Sequence, residues 1–387
     1  MPLLSFGSDT DVTTDLFANY LTSALQTGLS LTTGVGGDFA VQCKQSDWVD
    51  ATGEKHSAGV IVVPHYPVAR KLDFSFYTDI YKCLSVAAFP YYTLLKPSGL
   101  QLLELPGESY ETSRGLFFPW LAGTPKRLIY SHREYMTSYL SHLKTHSMKI
   151  PLMENFYLDF ASTTHIAIAG QSGAGKSYFV RYFLPYLITM GELYLVDPKA
   201  DDLVRWAGSP EAREVFKAIH RTPSVVYPQL VGSKDGVFVK EVDSVLAKLK
   251  AIMMKREDYY MKTGKRDFDD IFIVIDELLA LTQGAAKVDK ESFFAHLQSL
   301  ALLGRSAKIH LILVSQRFSA EAMPTAIRDQ LQGVFQLGPI TKSNTAFLFP
   351  DYDSEGVIPP RGKGTGICQI QGDVIPYPRP FLSPTYA

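Results

Sequence analysis

A glycine-rich stretch between two apolar segments carries the clearest chemistry in this sequence. Residues 165–177 read HIAIAGQSGAGKS, in which Gly170, Gly175, Lys176 and Ser177 match the pattern G-x-x-x-x-G-K-[ST]. In this pattern backbone amides fold around phosphates, the lysine reaches the β- and γ-phosphate oxygens, and the hydroxyl ligates Mg²⁺. Because an apolar run precedes the loop and a helical pattern follows it, we predict a nucleotide site rather than a glycine-rich turn alone. The predicted phosphate-binding residues are Gly170, Gln171, Ser172, Gly173, Ala174, Gly175, Lys176 and Ser177.

Two adjacent carboxylates supply the second half of such a site. The apolar residues 271–275 are followed directly by Asp276 and Glu277. Strands of a parallel sheet gather their functional groups at the carboxyl edge, so we expect both acids beside the phosphate loop. We predict that Asp276 holds Mg²⁺ together with Ser177, and that Glu277 orients or deprotonates the attacking water. The simpler alternative is a pair of surface acids at a strand end.

A polar side chain ends a third apolar run. Residues 309–314 are apolar apart from one histidine, and Ser315, Gln316 and Arg317 follow. Polar residues normally terminate strands, so their presence alone is weak evidence for a functional role. The position relative to the other two motifs makes Gln316 a candidate sensor of the γ-phosphate or of the attacking water.

The elements that must position these groups can be read from the spacing of apolar residues. From about residue 150, short apolar runs alternate with helical segments, which is typical of an α/β fold with a mainly parallel central sheet flanked by helices. The predicted strands are 166–169, 193–197, 271–275, 309–314, 334–337 and 366–370, and the predicted helices are 176–190, 239–260 and 291–303. Val242, Leu246, Leu249 and Met253 share one face of the second helix.

Composition indicates a folded protein of two domains. The 387 residues are 46% hydrophobic and carry a net charge of −1, which excludes a chain that coats nucleic acid by bulk attraction. We predict a smaller mixed or β-rich domain at residues 1–149, a phosphate-site domain at 150–375 and a proline-rich tail at 376–387. The three cysteines are widely separated, and no apolar run approaches the ~18 residues of a membrane-spanning helix. We therefore expect a cytoplasmic protein that would need a partner to reach a membrane.

Four segments together resemble the motor domain of the FtsK/SpoIIIE DNA translocases, from about residue 153 to residue 370. They are GQSGAGKS, LYLVDPKADDL at 193–203, IVIDELLAL at 273–281 and LLGRSAKIHLILVSQR at 302–317. A P-loop is common to many families, whereas the ordered set is much more specific. Within the HerA–FtsK group the chain is most similar to the coupling proteins of conjugative elements.

The resemblance implies a RecA-like P-loop NTPase that uses ATP and Mg²⁺ to move DNA through an oligomeric ring. The ring would be a homo-oligomer, a hexamer in this group, around duplex DNA held without sequence specificity. By the resemblance, Lys176 and Ser177 match the Walker A positions, Asp276 and Glu277 the Walker B pair, and Gln316 the polar sensor.

Arginines and a lysine complete the implied site. Arg305 matches the arginine that this group is thought to offer to a neighbouring subunit's ATP, and Arg317 and Arg328 are its rivals. Lys199 matches the lysine of the family's DPK segment. For each of these residues a surface ion pair is the simpler alternative.

Departures from the family narrow the expected role. Phe318 replaces the proline that usually follows the sensor arginine, and neither a winged-helix extension nor a membrane span is found in the sequence. We therefore expect a motor of a mobile element, in conjugation, or of a phage. The alternatives are an ATPase for phage assembly or secretion, and an ATP-switched adaptor that recruits a relaxase, a recombinase or a membrane channel protein. Basic residues between 248 and 266 could contact DNA phosphates, although solvated helix charge also explains them.

Overall fold

The computed structural model describes residues 10–33, 39–50, 52–65, 74–105, 113–228, 237–355, 357, 360–372 and 375–386. The chain divides into two compact units. Unit 1 comprises Met1–Pro125, Asp351–Ile358 and Tyr377–Arg379, and unit 2 comprises Lys126–Pro350, Pro359–Pro376 and Pro380–Ala387.

Unit 1 is built on a five-stranded sheet in the order β1-β4-β7-β5, with β6 also paired to β7. Its described elements are α1 (Thr10–Thr33), β1 (Phe39–Lys44), β2 (Trp48–Val49), β3 (Lys55–His56), β4 (Gly59–Pro64), α2 (Phe74–Ala88), β5 (Tyr92–Leu94), β6 (Leu102–Glu104) and β7 (Arg114–Ala122). Leu21 and Leu25 of α1 join Tyr77 and Tyr81 of α2 and Trp120 of β7 in one buried core. The two helices therefore bury their apolar faces against the sheet.

A segment from late in the chain belongs to unit 1. The side chain of Lys96 is fully buried, forms an ion pair with Asp353 and donates to the backbone oxygen of Glu355 at 2.8 Å. A buried ammonium group is costly unless it is paired in this way. Lys96 therefore ties the segment Asp351–Ile358 to unit 1.

Unit 2 contains the predicted nucleotide site. Its described elements are β8 (Ile129–Tyr130), α3 (His132–Thr145), β9 (Lys149–Met153), β10 (Phe156–Asp159), β11 (Ile166–Gly170), α4 (Lys176–Met190), β12 (Gly191–Val196), α5 (Asp202–Ala207), α6 (Pro210–Ile219), β13 (Ser224–Val226), α7 (Val237–Thr263), β14 (Asp270–Ile275), α8 (Leu278–Thr282), α9 (Lys287–Leu303), β15 (Ile309–Ser315), α10 (Thr325–Arg328), β16 (Gly333–Leu337), α11 (Lys342–Thr345), β17 (Thr365–Ile370), β18 (Arg379–Leu382) and β19 (Thr385–Tyr386).

An eight-stranded sheet runs through unit 2 in the order β13-β12-β14-β15-β11-β16-β17-β18. Neighbouring strands from β13 to β16 are parallel, and β17 is antiparallel to β16. The register pairs Ala169 with Ser315 and Ile275 with Leu313. The carboxyl ends of β11, β14 and β15 therefore lie at the same edge of the sheet.

Two helices illustrate how the apolar spacing is used. α7 buries Val242, Leu246, Leu249 and Met253, the face that the spacing predicts. Full burial of each such side chain contributes about 1.5–3 kcal/mol. α4 continues through Pro185, which is buried and whose missing N–H removes one helical hydrogen bond.

Within the described segments, every helix is too short or too polar to span a lipid bilayer.

The units differ from the predicted domain limits at both ends. Unit 2 begins at Lys126 rather than near residue 150, because Tyr135 and Tyr139 of α3 pack in the same core as α4. The predicted tail contains two strands: β18 lies at the end of the large sheet with Phe381 buried, and β19 pairs with β8. An edge strand tolerates proline, which explains how Pro380 fits there.

Candidate functional site

The glycine-rich loop connects β11 to α4 with a backbone that side chains would disfavour. Gly173 has φ of 81° and Gly175 has φ of 96°, in the left-handed region that favours glycine. A Cβ atom on Gly175 would lie 2.8 Å from the backbone nitrogen of Gly364. The amide of Gly364 in turn donates to the carbonyl of Ala174 at 2.8 Å. The loop is thus a tight cradle at the N-terminal end of a long helix, where backbone amides favour an anion.

A half-buried guanidinium supports this cradle. Arg127 donates from Nη2 to the carbonyl of Lys363 at 2.9 Å and from Nη1 to the carbonyl of Ser383 at 2.8 Å. The amide of Ser383 donates to the carbonyl of Gly364 at 2.7 Å. Burial lowers the pKa of Arg127 below its ordinary value. Sequence analysis missed Arg127 and Gly364, since neither stands in a recognisable motif.

Three residues from two distant segments meet at the carboxyl edge of the sheet. Nζ of Lys176 lies 3.8 Å from Oδ1 of Asp276 and 4.0 Å from Oε2 of Glu277. The three side chains are 10%, 14% and 5% exposed, respectively. The register of β11, β15 and β14 brings this about, because each strand ends beside its neighbour. The lysine of the glycine loop and the two acids therefore lie together, as the sequence interpretation requires.

Glu277 is held by several donors at once. Its carboxylate accepts from Nζ of Lys199 at 3.0 Å, from Oγ of Ser315 at 3.3 Å and from the amide of Gln316 at 3.3 Å. Burial raises the pKa of Glu277, but the hydrogen bonds from Lys199 and Gln316 and the charge of Lys176 outweigh it, so this pKa lies below its ordinary value. Glu277 is therefore an ionised acceptor.

The backbone of Glu277 is itself strained. Its φ is 46°, a left-handed conformation that costs a non-glycine residue roughly 1–2 kcal/mol. Such strain persists only where surrounding contacts fix the residue, and it is concentrated at functional sites. The donors around its carboxylate are contacts of this kind.

A second buried carboxylate positions Lys199. Asp197 is fully buried and accepts from the amides of Lys199 at 3.1 Å, Asp201 at 2.9 Å, Leu203 at 3.1 Å and Val204 at 3.3 Å. These bonds fix the turn after β12. They place the Lys199 ammonium against Glu277. Sequence analysis noted Lys199 but did not single out Asp197, whose signal is its place at the end of an apolar strand.

The pKa of Asp276 is shifted in the opposite direction to that of Glu277. Burial raises its pKa most, Lys176 lowers it, and the charges of Asp197 and Glu277 raise it again, so the pKa of Asp276 lies above its ordinary value. A bound cation would remove this penalty. Asp276 therefore has the character of a metal ligand, and Ser177, the second residue of α4, is the predicted co-ligand.

The predicted sensor and the predicted arginine lie at different ends of β15. Gln316 follows the strand and contacts Glu277 through its backbone amide, while its side chain is exposed. Arg305 is exposed in the turn before the strand. β15 has seven residues and so spans about 20 Å, which places Arg305 at the opposite edge from the site of its own subunit. The two alternative arginines make contacts within this chain. Arg317 donates to the carbonyl of Ser343 at 3.5 Å, and Arg328 forms an ion pair with Asp329 at 2.7 Å.

The site fits a magnesium-bound nucleoside triphosphate. The glycine cradle lies at the N-terminal end of α4, where backbone amides favour phosphates, and Lys176 lies where it can neutralise them. The carboxylate of Asp276 and the hydroxyl of Ser177 are oxygen ligands of the kind that Mg²⁺ prefers. The roles of all these residues remain predictions from sequence and geometry.

Comparison with known proteins identifies relatives of this chain. No protein-family model matches the chain. It is 26% identical over 246 residues to the FtsK domain-containing protein YdcQ of Bacillus subtilis strain 168, and 29% identical over 250 residues to the DNA translocase FtsK of Corynebacterium glutamicum. These matches cover 61% and 58% of this chain but only 47% and 26% of the relatives. The predicted resemblance to FtsK-type proteins is confirmed.

A solved structure is similar over nearly the whole chain. The pCW3 conjugation coupling protein TcpA, a monomer form with ATPγS, gives a TM-score of 0.52 at 16% identity and covers 94% of both chains. The α/β class expected from the sequence is confirmed. At this level of identity the likeness establishes the fold alone.

Proposed function

Because this chain resembles FtsK-type translocases, we propose that it is a Mg²⁺-dependent ATPase whose turnover moves DNA. One observation carries the proposal: Lys176 lies within 4.0 Å of both Asp276 and Glu277, at the end of a glycine cradle. Fold class alone would not support a reaction, because one fold hosts many functions. The arrangement of the charged groups supplies the chemical argument.

Each side chain has a distinct part in the proposed reaction. Bound Mg²⁺–ATP supplies the phosphoryl group that is transferred to water. Lys176 balances phosphate charge, and Ser177 with Asp276 holds the metal. The ionised carboxylate of Glu277 accepts the proton of the attacking water. Lys199 fixes that carboxylate through its 3.0 Å hydrogen bond.

We further propose a RecA-like motor domain that works in a homo-oligomeric ring, a hexamer by the family resemblance. The position of Arg305 supports an intersubunit site, because the residue is exposed and distant from the nucleotide site of its own chain. An arginine supplied to a neighbour's nucleotide can raise turnover by about 10³–10⁵-fold. Arg305→Ala should therefore reduce turnover without reducing ATP binding.

Duplex DNA is the proposed substrate, bound through phosphates. The basic stretch at the end of α7 is partly committed to structure, since Arg256 donates to the carbonyl of Ala307 at 2.7 Å and its guanidinium lies 4.5 Å from the ring centre of Phe268. Lys255 and Lys265 are exposed and are the better candidates for phosphate contact. Such contacts give binding that weakens steeply with salt. From the family resemblance of the sequence motifs we propose a role for a mobile element, with a relaxase, recombinase or membrane channel protein as partner.

The test is steady-state ATPase activity of the purified chain with duplex DNA, single-stranded DNA or none. We expect Mg²⁺-dependent turnover that duplex DNA stimulates and Lys176→Ala abolishes. Sizing with a non-hydrolysable ATP analogue should show a ring. Turnover without DNA stimulation would favour a secretion or phage-assembly ATPase, and tight binding with negligible hydrolysis would favour an adaptor. Neither result is compatible with the proposed motor.

A further inference from the structure

The turn between α9 and β15, residues 304–308, carries Arg305, the arginine proposed to reach the ATP of a neighbouring subunit. Its guanidinium is exposed and has no hydrogen bond or ion pair with any residue that the structure describes. A side chain that acts on another chain must be accessible, yet its backbone must be held to within about 0.5 Å to act precisely. The contacts that hold this turn therefore bear on how Arg305 is presented.

The backbone of the turn is closed by its own hydrogen bonds. The amide of Ile309 donates to the carbonyl of Gly304 at 2.9 Å, and the amide of Lys308 donates to the carbonyl of Arg305 at 3.3 Å. Lys308 has φ of 53°, a left-handed conformation that surrounding contacts must fix in a non-glycine residue. These bonds set the shape of the turn, but they join it to no element other than α9 and β15.

Two adjacent residues of α7 join the turn to a third element. Arg256 donates from Nη1 to the carbonyl of Ala307 at 2.7 Å. Glu257 accepts a hydrogen bond from Oγ of Ser306. The two residues that directly follow Arg305 in the chain are thus both held by α7.

The ring of Phe268 lies beside the two cations at this turn. The guanidinium of Arg256 is 4.5 Å from the ring centre, and Nζ of Lys308 is 5.9 Å from it. Lys308 also donates to the carbonyl of Phe268 at 3.1 Å and lies 3.8 Å from the carboxylate of Asp270. A guanidinium presents its donors in a rigid planar fork, so an arginine stacked on a ring directs its hydrogen bond accurately.

We propose that Arg256 is a positioning residue for Arg305: it holds the turn so that Arg305 enters the ATP site of the neighbouring subunit in a fixed geometry. The inference rests on the proposed intersubunit site. Arg256 itself touches no nucleotide, because the turn lies at the opposite edge of the sheet from the ATP site of its own chain. Its contribution is therefore to turnover in the neighbouring site and not to ATP binding in either.

The expected effect follows from how strictly a catalytic group must be placed. A displacement of about 1 Å can cost about 10²-fold in rate. Arg256→Met removes the donor to Ala307 but keeps an unbranched apolar stem beside Phe268, and the hydrogen bonds within the turn remain. We expect turnover to fall by about 10- to 100-fold, less than after Arg305→Ala, with ATP affinity unchanged. Arg256→Lys keeps a charged donor and should lose less.

The test uses assemblies of two differently tagged chains that are co-expressed and isolated through both tags. Steady-state ATPase activity with duplex DNA is measured, and ATP affinity is measured by calorimetry. Lys176→Ala supplies an intact Arg305 but lacks a working ATP site. Paired with Arg256→Met or with Arg305→Ala, it should restore turnover, because both variants keep their own ATP sites and receive the neighbour's arginine. Arg213→Met, an exposed arginine on α6, is the matched control and should hydrolyse ATP as the wild type does.

Three results overturn the inference: wild-type turnover by Arg256→Met, weaker ATP binding by that variant, or restoration of Arg305→Ala but not of Arg256→Met. Should Arg256→Met fail to fold, as judged by circular dichroism, Ser306→Ala decides in its place. It removes the other contact with α7, so its turnover should fall and be restored in the same way. Unchanged turnover, or a loss that Lys176→Ala does not restore, overturns the inference.

The reference variants separate this inference from the proposed function. If Arg305→Ala hydrolyses ATP normally, or is slow and is not restored, the intersubunit role of Arg305 fails and the inference fails with it. The proposed ATP site still stands in that case if the wild type hydrolyses ATP and Lys176→Ala does not. If Arg305→Ala behaves as expected and Arg256→Met does not, the inference alone fails.

Discussion

Lys199→Met tests the contact between Lys199 and Glu277, the proposed general base. The lysine donates to Glu277 at 3.0 Å, while the carboxylate is 5% exposed and the lysine side chain 47% exposed. Methionine keeps most of the length of the side chain but removes its charge and its donors. The perturbation therefore tests the hydrogen bond and the ion pair together, with little change in packing.

The expected magnitude follows from the burial of the two partners. A hydrogen bond to a charged group contributes about 1.5–3 kcal/mol, but solvent around the half-exposed lysine reduces this to about 1 kcal/mol. Because contacts hold the pKa of Glu277 below its ordinary value, the contribution is present above the unfolded pKa and is lost as the pH falls through the folded pKa. The variant should be less stable near neutral pH and equal to the wild type in acid.

The assay is urea denaturation of the metal-free protein over a series of pH values, followed by tryptophan fluorescence. Lys217→Met, an exposed lysine on α6, is the control and should stay within about 0.5 kcal/mol of the wild type. A stability difference that persists unchanged into acid would refute the reasoning, because it could not come from the ionised carboxylate. No difference at neutral pH would show that the contact contributes nothing.

Three further substitutions test other parts of the site. Asp276→Asn should raise the melting temperature of the metal-free protein near neutral pH, because burial raises the pKa of this carboxyl and the fold disfavours its ionised form; calorimetry measures the gain, which should vanish in acid. Glu277→Gly should be more stable than Glu277→Ala by about 1 kcal/mol in urea denaturation, because φ at this position is 46°; the opposite order would exclude backbone strain. Arg127→Leu should destabilise the protein by about 1 kcal/mol and weaken ATP binding in calorimetric titration, because two carbonyls lose their donor and solvent can replace it at one of them; normal ATP affinity would show that the cradle does not depend on it.

The sequence predicted those parts of the fold that depend on local apolar spacing. α4 has the predicted bounds, and α7, β14 and β15 lie within a few residues of theirs. Parallel strands buried on both faces produce short apolar runs, which are easy to recognise. The sequence predicted that Lys176 and Glu277 lie close together, because the glycine loop before Lys176 and the acids at 276–277 each follow such a run.

Other features depend on contacts that are distant in sequence. Arg127 lies 236 residues from its acceptor Lys363, and Lys199 lies 78 residues from Glu277. No local pattern encodes such a separation. The strand around Phe381 was missed for a different reason, since proline is frequent in that segment and only its place at the sheet edge permits it.

The two acids at the end of β14 are adjacent in sequence, yet their environments push them in opposite directions. The pKa of Asp276 is raised, first by burial, whereas the pKa of Glu277 is lowered because donors outweigh burial. Two carboxylates whose pKa values are shifted in opposite directions take different chemical roles. Without a cation, ionised Asp276 faces the charges of Asp197 and Glu277, so a divalent ion should bind there with a gain that Asn at position 276 cannot reproduce. Glu277, already ionised and fixed by Lys199, needs no such partner to accept a proton.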